Sequence, residues 1–436
     1  MRGVAALSVL LFHVWWFSAD RGRSHVGLGL DSVLNHLWLG VSVFFVLSGF
    51  LLYRPYVAAS VNETPWPALR RYARSRLLRI LPAYWLVLTW FAVLFRPGLR
   101  VGTLILMTLA AFALYHPSIL HAESLSRARR RVRYGLVVGV HVALAVAALR
   151  LASGEPDAVL SSLASAARNY AFLIFEQADW AILPAWTLGL EISFYAALPL
   201  IAVGIARGAR SAPTPGRRAL RHALLLMPLI GVTLAYYGLR FTVAPSLPDA
   251  LPSYLDQFAL GMLVATAYSW SAARKRPRRL PSWPFLAAAI AIITMTALAG
   301  PWNGHRSFLY ELLMATAFAF VVAGVVLPGG GSYLARALAL GPVTWLGDIS
   351  YGVYLWHFPI LLILDAAGVI GVGSPAVLAL NVVVVVSLTL TAASLSWRFM
   401  ERRLLKFKGS RASAAQERRR PQPSSRPRAL EPAASR

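Results

Sequence analysis

Arg2 and His13 stand eleven residues apart in an apolar stretch. At 100° per residue they share one helix face, with about 16 Å between them along the axis. An imidazole held inside a bilayer is suited to proton transfer near pH 7. The plainer reading is an Arg flanking a signal-anchor helix and a core His bonded to a carbonyl. Arg76 and Arg79 are i, i+3 and can converge on one anion, and a guanidinium grips phosphate through a two-pronged fork. Arg70, Arg71 and Arg74, just before them, read as a topology signal. Glu191 lies about one and a half turns inside the apolar run that begins at Trp186, and a carboxylate at that depth needs a partner or a proton. Tyr354 and His357 share a face of a later apolar run. An aromatic belt explains tyrosines at a helix start, but His357 is too deep for that.

These side chains need helices to hold them. A hydrocarbon core about 30 Å thick takes roughly 20 apolar residues of helix. Candidate spans fall near 3–18, 37–56, 78–96, 102–119, 134–151, 186–206, 222–241, 253–272, 283–300, 308–327, 343–364 and 375–397. The 78–119 stretch reads either as two spans around Arg96-Pro97-Gly98 or as one span plus an interfacial helix. The expected fold is therefore all-α, a polytopic membrane bundle of 10–12 transmembrane helices. Four arginine clusters, at 70–79, 127–133, 207–221 and 274–279, fall on one side of that arrangement. The positive-inside rule makes that side, and both termini, cytoplasmic. The segments 152–185 and 242–252, poor in Arg, then form loops on the other side.

Composition agrees. Hydrophobic residues make up 58% and charged residues 14%, against about 45–50% and 25% in soluble domains. The 43 Lys+Arg against 17 Asp+Glu give a net charge of +26. That charge is clustered between apolar runs rather than spread over a soluble face, so no nucleic-acid partner is expected. There is no cysteine, which excludes thiolate nucleophiles and Cys-ligated metal, and no metal site is expected. Residues 404–436 read as a basic, disordered cytoplasmic tail. The nearest approach to a Gly-Asp-Ser nucleophile motif, Gly347-Asp348-Ile349-Ser350, leads straight into an apolar helix. An SGNH-type hydrolase domain is not expected in these residues.

Taken together, five segments resemble the acyltransferase 3 family of integral membrane O-acyltransferases. Arg2-x10-His13 is similar to the family's first-helix pattern. Gly40-Val41-Ser42-Val43-Phe44-Phe45-Val46-Leu47-Ser48-Gly49-Phe50-Leu51-Leu52 resembles its second-helix signature, and Arg76-x-x-Arg79-Ile80-x-Pro82 its RxxR loop. Trp186-Thr187-Leu188-x-x-Glu191-x-x-Phe194-Tyr195 and Ser350-Tyr351-Gly352-Val353-Tyr354-Leu355-Trp356-His357-x-Pro359 resemble its later signatures. The likeness covers residues 2–403. It departs in three places: only Met1 precedes Arg2, where family members usually carry several residues; 101–152 is longer than the usual connection; and Glu401-Arg402-Arg403 has Arg where the family's closing motif usually has Pro.

The resemblance implies transfer of an acyl group, often acetyl, from acyl-CoA to a hydroxyl, most often on a carbohydrate, by a multi-pass cell membrane protein. Acyl-CoA is then a co-substrate, with no bound cofactor. Arg2, Arg76 and Arg79 would hold the donor, with Arg2 at the cytoplasmic edge. His13, Glu191 and His357 would be catalytic. Tyr351, Tyr354, Trp186 and Tyr195 would position the acceptor or the oxyanion. An acyl-histidine intermediate on His13 stays open. The rival from another class is a multi-span glycan or lipid transporter or flippase. Such proteins often show inverted repeats, and no internal repeat is visible here.

Overall fold

The computed structural model describes residues 1–21, 31–120, 156–174, 180–274, 280–299, 307–327 and 332–402. Among them there is no strand. Twelve main helices follow one another: α1 (Arg2–Ser18), α2 (Gly40–Asn62), α3 (Leu69–Phe95), α4 (Pro97–Leu120), α5 (Pro156–Ala171), α6 (Trp186–Ala209), α7 (Pro215–Thr242), α8 (Leu255–Ala272), α9 (Trp283–Leu298), α10 (Ser307–Val326), α11 (Gly341–Ala366) and α12 (Pro375–Ser396). Among the described residues, seven helical stretches are long and apolar enough to cross a membrane: Asp31–Asn62, Leu69–Phe95, Leu183–Ala209, Pro215–Thr242, Phe308–Val326, Gly341–Ala366 and Pro375–Glu401. Arg2–Ser18, Gly98–Ala110 and Trp283–Leu298 are shorter apolar helices. The chain is a multi-pass membrane protein.

Eleven of the twelve expected spans coincide with helices. The twelfth, 134–151, lies outside the described residues, as do all of the second arginine cluster, most of the fourth and the 404–436 tail. Between α3 and α4 the helix breaks at Arg96, just before Pro97, because a residue preceding proline is pushed out of the α region. One expectation needs correction. The segment 152–185 is not simply a loop: Pro156–Ala171 is a helix packed on α4. Its apolar positions are interrupted by Ser, Asn and Arg, which masks it in a search for long apolar runs.

The core sits around α2. That helix is apolar on every side, and most of its residues from Gly40 to Val61 are buried, as expected of a helix surrounded by others. It packs most closely on α8. A Cβ on Gly49 would stand 2.1 Å from the Phe258 carbonyl oxygen, and one on Gly261 would stand 2.0 Å from that of Val46. The two glycines let the backbones touch, the usual device where lipid offers no hydrophobic gain for helix pairing. α1 lies against α2, α11 and α12. The loop before α12 is pinned to the end of α1, with Asn381 Nδ2 donating to Ser18 Oγ (2.9 Å) and to the Gly371 carbonyl (2.8 Å).

Candidate active site

Five helices converge on one narrow cavity. Arg2 comes from α1, Phe44 from α2, Arg79 from α3, Glu191 and Tyr195 from α6, and Tyr351 and Tyr354 from α11. Two guanidiniums thus share a wall with one carboxylate. The carboxylate is tied down on both oxygens: Ser48 Oγ donates to Oε1 at 2.8 Å, and Tyr195 Oη donates to Oε2 at 2.7 Å. Arg2 Nε is buried with no hydrogen-bond partner in the protein. An orphaned, charged donor facing a cavity is the expected mark of an anion site. Glu401, buried at the end of the chain's last described helical turn, accepts from Ser396 Oγ at 3.2 Å and lies within electrostatic reach of Arg79.

His13 and His357 meet beside this cavity, joined to it by the Tyr354 ring, whose centroid is 5.8 Å from that of His357. His357 Nε2 lies 3.2 Å from His13 Nδ1. His13 Nδ1 is also 2.9 Å from the Val9 carbonyl, and His357 Nδ1 is 3.1 Å from the Val353 carbonyl. A carbonyl only accepts, so both Nδ1 atoms carry the proton in the neutral rings. His13 Nδ1–H is then shared between Val9 and the lone pair of His357 Nε2. The remaining lone pair, on His13 Nε2, is the basic atom of the pair. His357 is buried, whereas His13 is partly exposed.

The structure redistributes several expected residues. Arg2 shares the cavity with Glu191, which lies 18 residues from the Ala209 end of α6, about 27 Å along the axis. Arg76 lies within electrostatic reach of Arg79. It lines a neighbouring groove with Tyr72 and Ile192, and the two spaces share only Ile80 and Tyr195. Trp186 faces a different pocket, with Trp180 and Leu251, and its ring meets Tyr254 at 5.5 Å. Tyr354 and Thr187 bond each other at 2.8 Å and crowd the Pro184 carbonyl at 3.0 Å each. Tyr351 Oη donates to the Ile80 carbonyl at 2.8 Å, next to Arg79. Both tyrosines therefore lock α11 to the elements that carry Glu191 and Arg79. Sequence reasoning passes over Ser48, Thr187 and Ser350. Each is a hydroxyl inside one of the family-like segments, and that is the only signal they carry.

α6 also links the cavity to the arginine-rich end. A depression there is lined by Trp66, Val203, Arg207, Arg210 and Arg218, the last paired with Glu63 at 2.6 Å. Trp66, Tyr56 and Tyr72 form a chain of ring contacts at 5.3 and 5.9 Å that leads to the Arg76 groove. Along α6, Arg207, Val203, Pro199, Tyr195 and Glu191 line the three spaces in turn. No group of three or more His, Asp or Glu among the described residues could hold a metal ion.

The acyltransferase domain model matches residues 1–398. The chain belongs to the acyltransferase 3 family. It is 23% identical over 421 residues to the peptidoglycan O-acetyltransferase OatA of Listeria monocytogenes, covering 92% of this chain and 54% of that protein. It is 24% identical over 424 residues to YrhL of Bacillus subtilis, named as a candidate peptidoglycan O-acetyltransferase, covering 92% and 53%. It is 26% identical over 362 residues to BcsY of Komagataeibacter xylinus, named as a candidate membrane-bound transacylase, covering 82% and 71%. The chain spans about half the length of the first two relatives. No solved structure matches it.

Proposed function

We propose that this chain is a membrane O-acyltransferase that moves an acyl group, most simply acetyl, from acyl-CoA to a hydroxyl of a carbohydrate such as peptidoglycan. The observation that carries the reading is the His13–His357 pair beside a cavity lined by Arg2, Arg79 and Glu191. The donor approaches from the arginine-rich end, and its thioester arm follows α6 past Arg76 to the cavity. Arg79 and Arg2 meet its negative charge there. His13 Nε2 removes the proton from the acceptor hydroxyl as that oxygen attacks the thioester carbonyl. The tetrahedral intermediate then collapses, the carbon–sulfur bond breaks and the thiolate leaves, taking the proton from the His13 imidazolium. His357 accepts the shared Nδ1–H of His13, which steadies the imidazolium formed in the first step. Glu191, fixed by Ser48 and Tyr195, keeps a negative charge facing the two arginines. The peptidoglycan acceptor is favoured by the names of OatA and YrhL.

The test uses membranes containing the full chain, supplied with acetyl-CoA labelled in the acetyl group and with peptidoglycan fragments. Label should enter the fragments as an alkali-labile ester. Label that stays in the donor, with every glycan offered left unmodified, contradicts the reading.

A further inference from the structure

A second cavity, of about 760 Å³, lies at the other end of α2 from the arginine cluster at 70–79. It is formed between residues 32–39, the end of α9 and the start of α10, and the reaction assigned above makes no use of it. Asn35, His36 and Trp38 line one side, and Tyr310 and Glu311 the other. A volume of this size is ordinary for a small-molecule site.

The wall made by residues 32–39 runs alongside α1. Trp15 Nε1 donates to Asp31 Oδ1 at 2.7 Å, two residues beyond His13. At the other end of the wall, Gly40 sits against Ala5, Ser8 and Val9. His13 therefore lies between the two anchor points of the wall along α1. The first turn of α2 divides the two cavities, since Leu39 lines this one while Val41 and Phe44 line the one holding Glu191.

The lining is built to accept hydrogen bonds. His36 Nδ1–H donates to the Ser32 carbonyl at 2.5 Å, which leaves its Nε2 as an acceptor. Its ring meets Tyr310 at 5.7 Å. Glu311 makes no ion pair among the described residues, and Asp256 lies within electrostatic reach of it. Asp256 is itself buried, with Oδ1 unpartnered. Among the described residues no Arg or Lys lines this cavity, unlike the one that holds Arg2 and Arg79, so a phosphate-bearing donor is disfavoured. A carboxylate, an imidazole nitrogen and an amide beside aromatic planes suit a ligand rich in hydroxyl donors.

We propose that this cavity is the docking site for the carbohydrate acceptor, taking an uncharged or amino sugar, with Glu311 accepting from sugar hydroxyls and Trp38 stacking on the ring. The proposal rests on the reading of the chain as an O-acyltransferase, and the two fail separately. The full chain in detergent is titrated with fully N-acetylated chitotetraose, a soluble, uncharged oligomer, and the same oligomer is offered as acceptor with labelled acetyl-CoA. Glu311→Gln and Trp38→Ala should each weaken chitotetraose binding and raise its KM by about tenfold or more, the loss of roughly one good contact. The donor KM should stay as in the wild type, and Glu311→Asp should recover part of the loss. Unchanged acceptor KM and binding in variants that elute as folded protein overturn the proposal, as does a change confined to the donor KM. Failure of the wild type to bind the oligomer also overturns it. Glu311-dependent binding without any acyl transfer sustains the site and overturns the O-acyltransferase reading instead.

Discussion

His357 Nε2 faces His13 Nδ1 at 3.2 Å, and each ring gives its other contact to the carbonyl four residues earlier on its own helix. The two rings, on α1 and α11, are 344 residues apart in sequence. The pair fixes which nitrogen of His13 is left to act as base. On the proposed mechanism His357 is a positioning residue that acts through His13. His357→Ala should lower kcat by about 10²-fold, the low end of what a positioned base supplies, and leave the donor KM unchanged. His357→Gln, whose amide oxygen can accept the same N–H, should recover part of the rate. Equal loss in both variants contradicts the relay.

Glu191 serves two hydroxyls from two helices, Ser48 on α2 and Tyr195 on α6. Glu191→Ala leaves both without their acceptor and should cost about 1–3 kcal/mol of stability, seen as a lower unfolding temperature. Glu191→Gln keeps the shape but loses the charge facing Arg2 and Arg79. It should unfold near the wild-type temperature yet transfer acyl groups at least about tenfold more slowly. Wild-type transfer rates in Glu191→Gln contradict a role for the charge.

Arg76 and Arg79 should not behave alike, because they line different spaces. A lysine keeps the charge and loses the fork. Arg79→Lys should raise the donor KM more than Arg76→Lys, since Arg79 shares its cavity with Arg2 and Glu191. Steady-state kinetics with varied acetyl-CoA decides this, and an unchanged KM in Arg79→Lys contradicts it.

The α2–α8 contact makes a prediction about folding alone. Gly49→Leu must push the Phe258 backbone away, so the protein should aggregate or fail to accumulate. At Gly231 an added Cβ would meet nothing within 4 Å, so Ala should be accepted there without loss. Gel-filtration profiles of the two variants should differ accordingly, and a monodisperse Gly49→Leu variant contradicts the packing.

Much of this is legible in the sequence because a charge inside an apolar run has few innocent explanations. Arg2, Arg79, Glu191, Tyr195, Tyr351 and Tyr354 share one cavity, and His13 and His357 meet beside it. Which residues meet is less legible. Counting residues from the start of α1 does not show that Arg2 shares a cavity with Glu191 on α6. The spacing of Arg76 and Arg79 suggests one anion, but which neighbours fill the groove between them depends on α6. The cavity at Glu311 has no sequence signal at all. Its walls are three segments far apart in the chain, and Glu311 alone sits near the start of an otherwise ordinary apolar helix.

The central claim is that His13 Nε2 is the base of an acyl transfer, and it is tested most directly by His13→Ala in membranes given labelled acetyl-CoA and glycan. Transfer to the glycan and binding of CoA are measured on the same preparation. The account predicts that transfer falls by about 10²–10⁴-fold while CoA affinity stays at the wild-type value. A His13→Ala variant that transfers acetyl at a near-normal rate contradicts it.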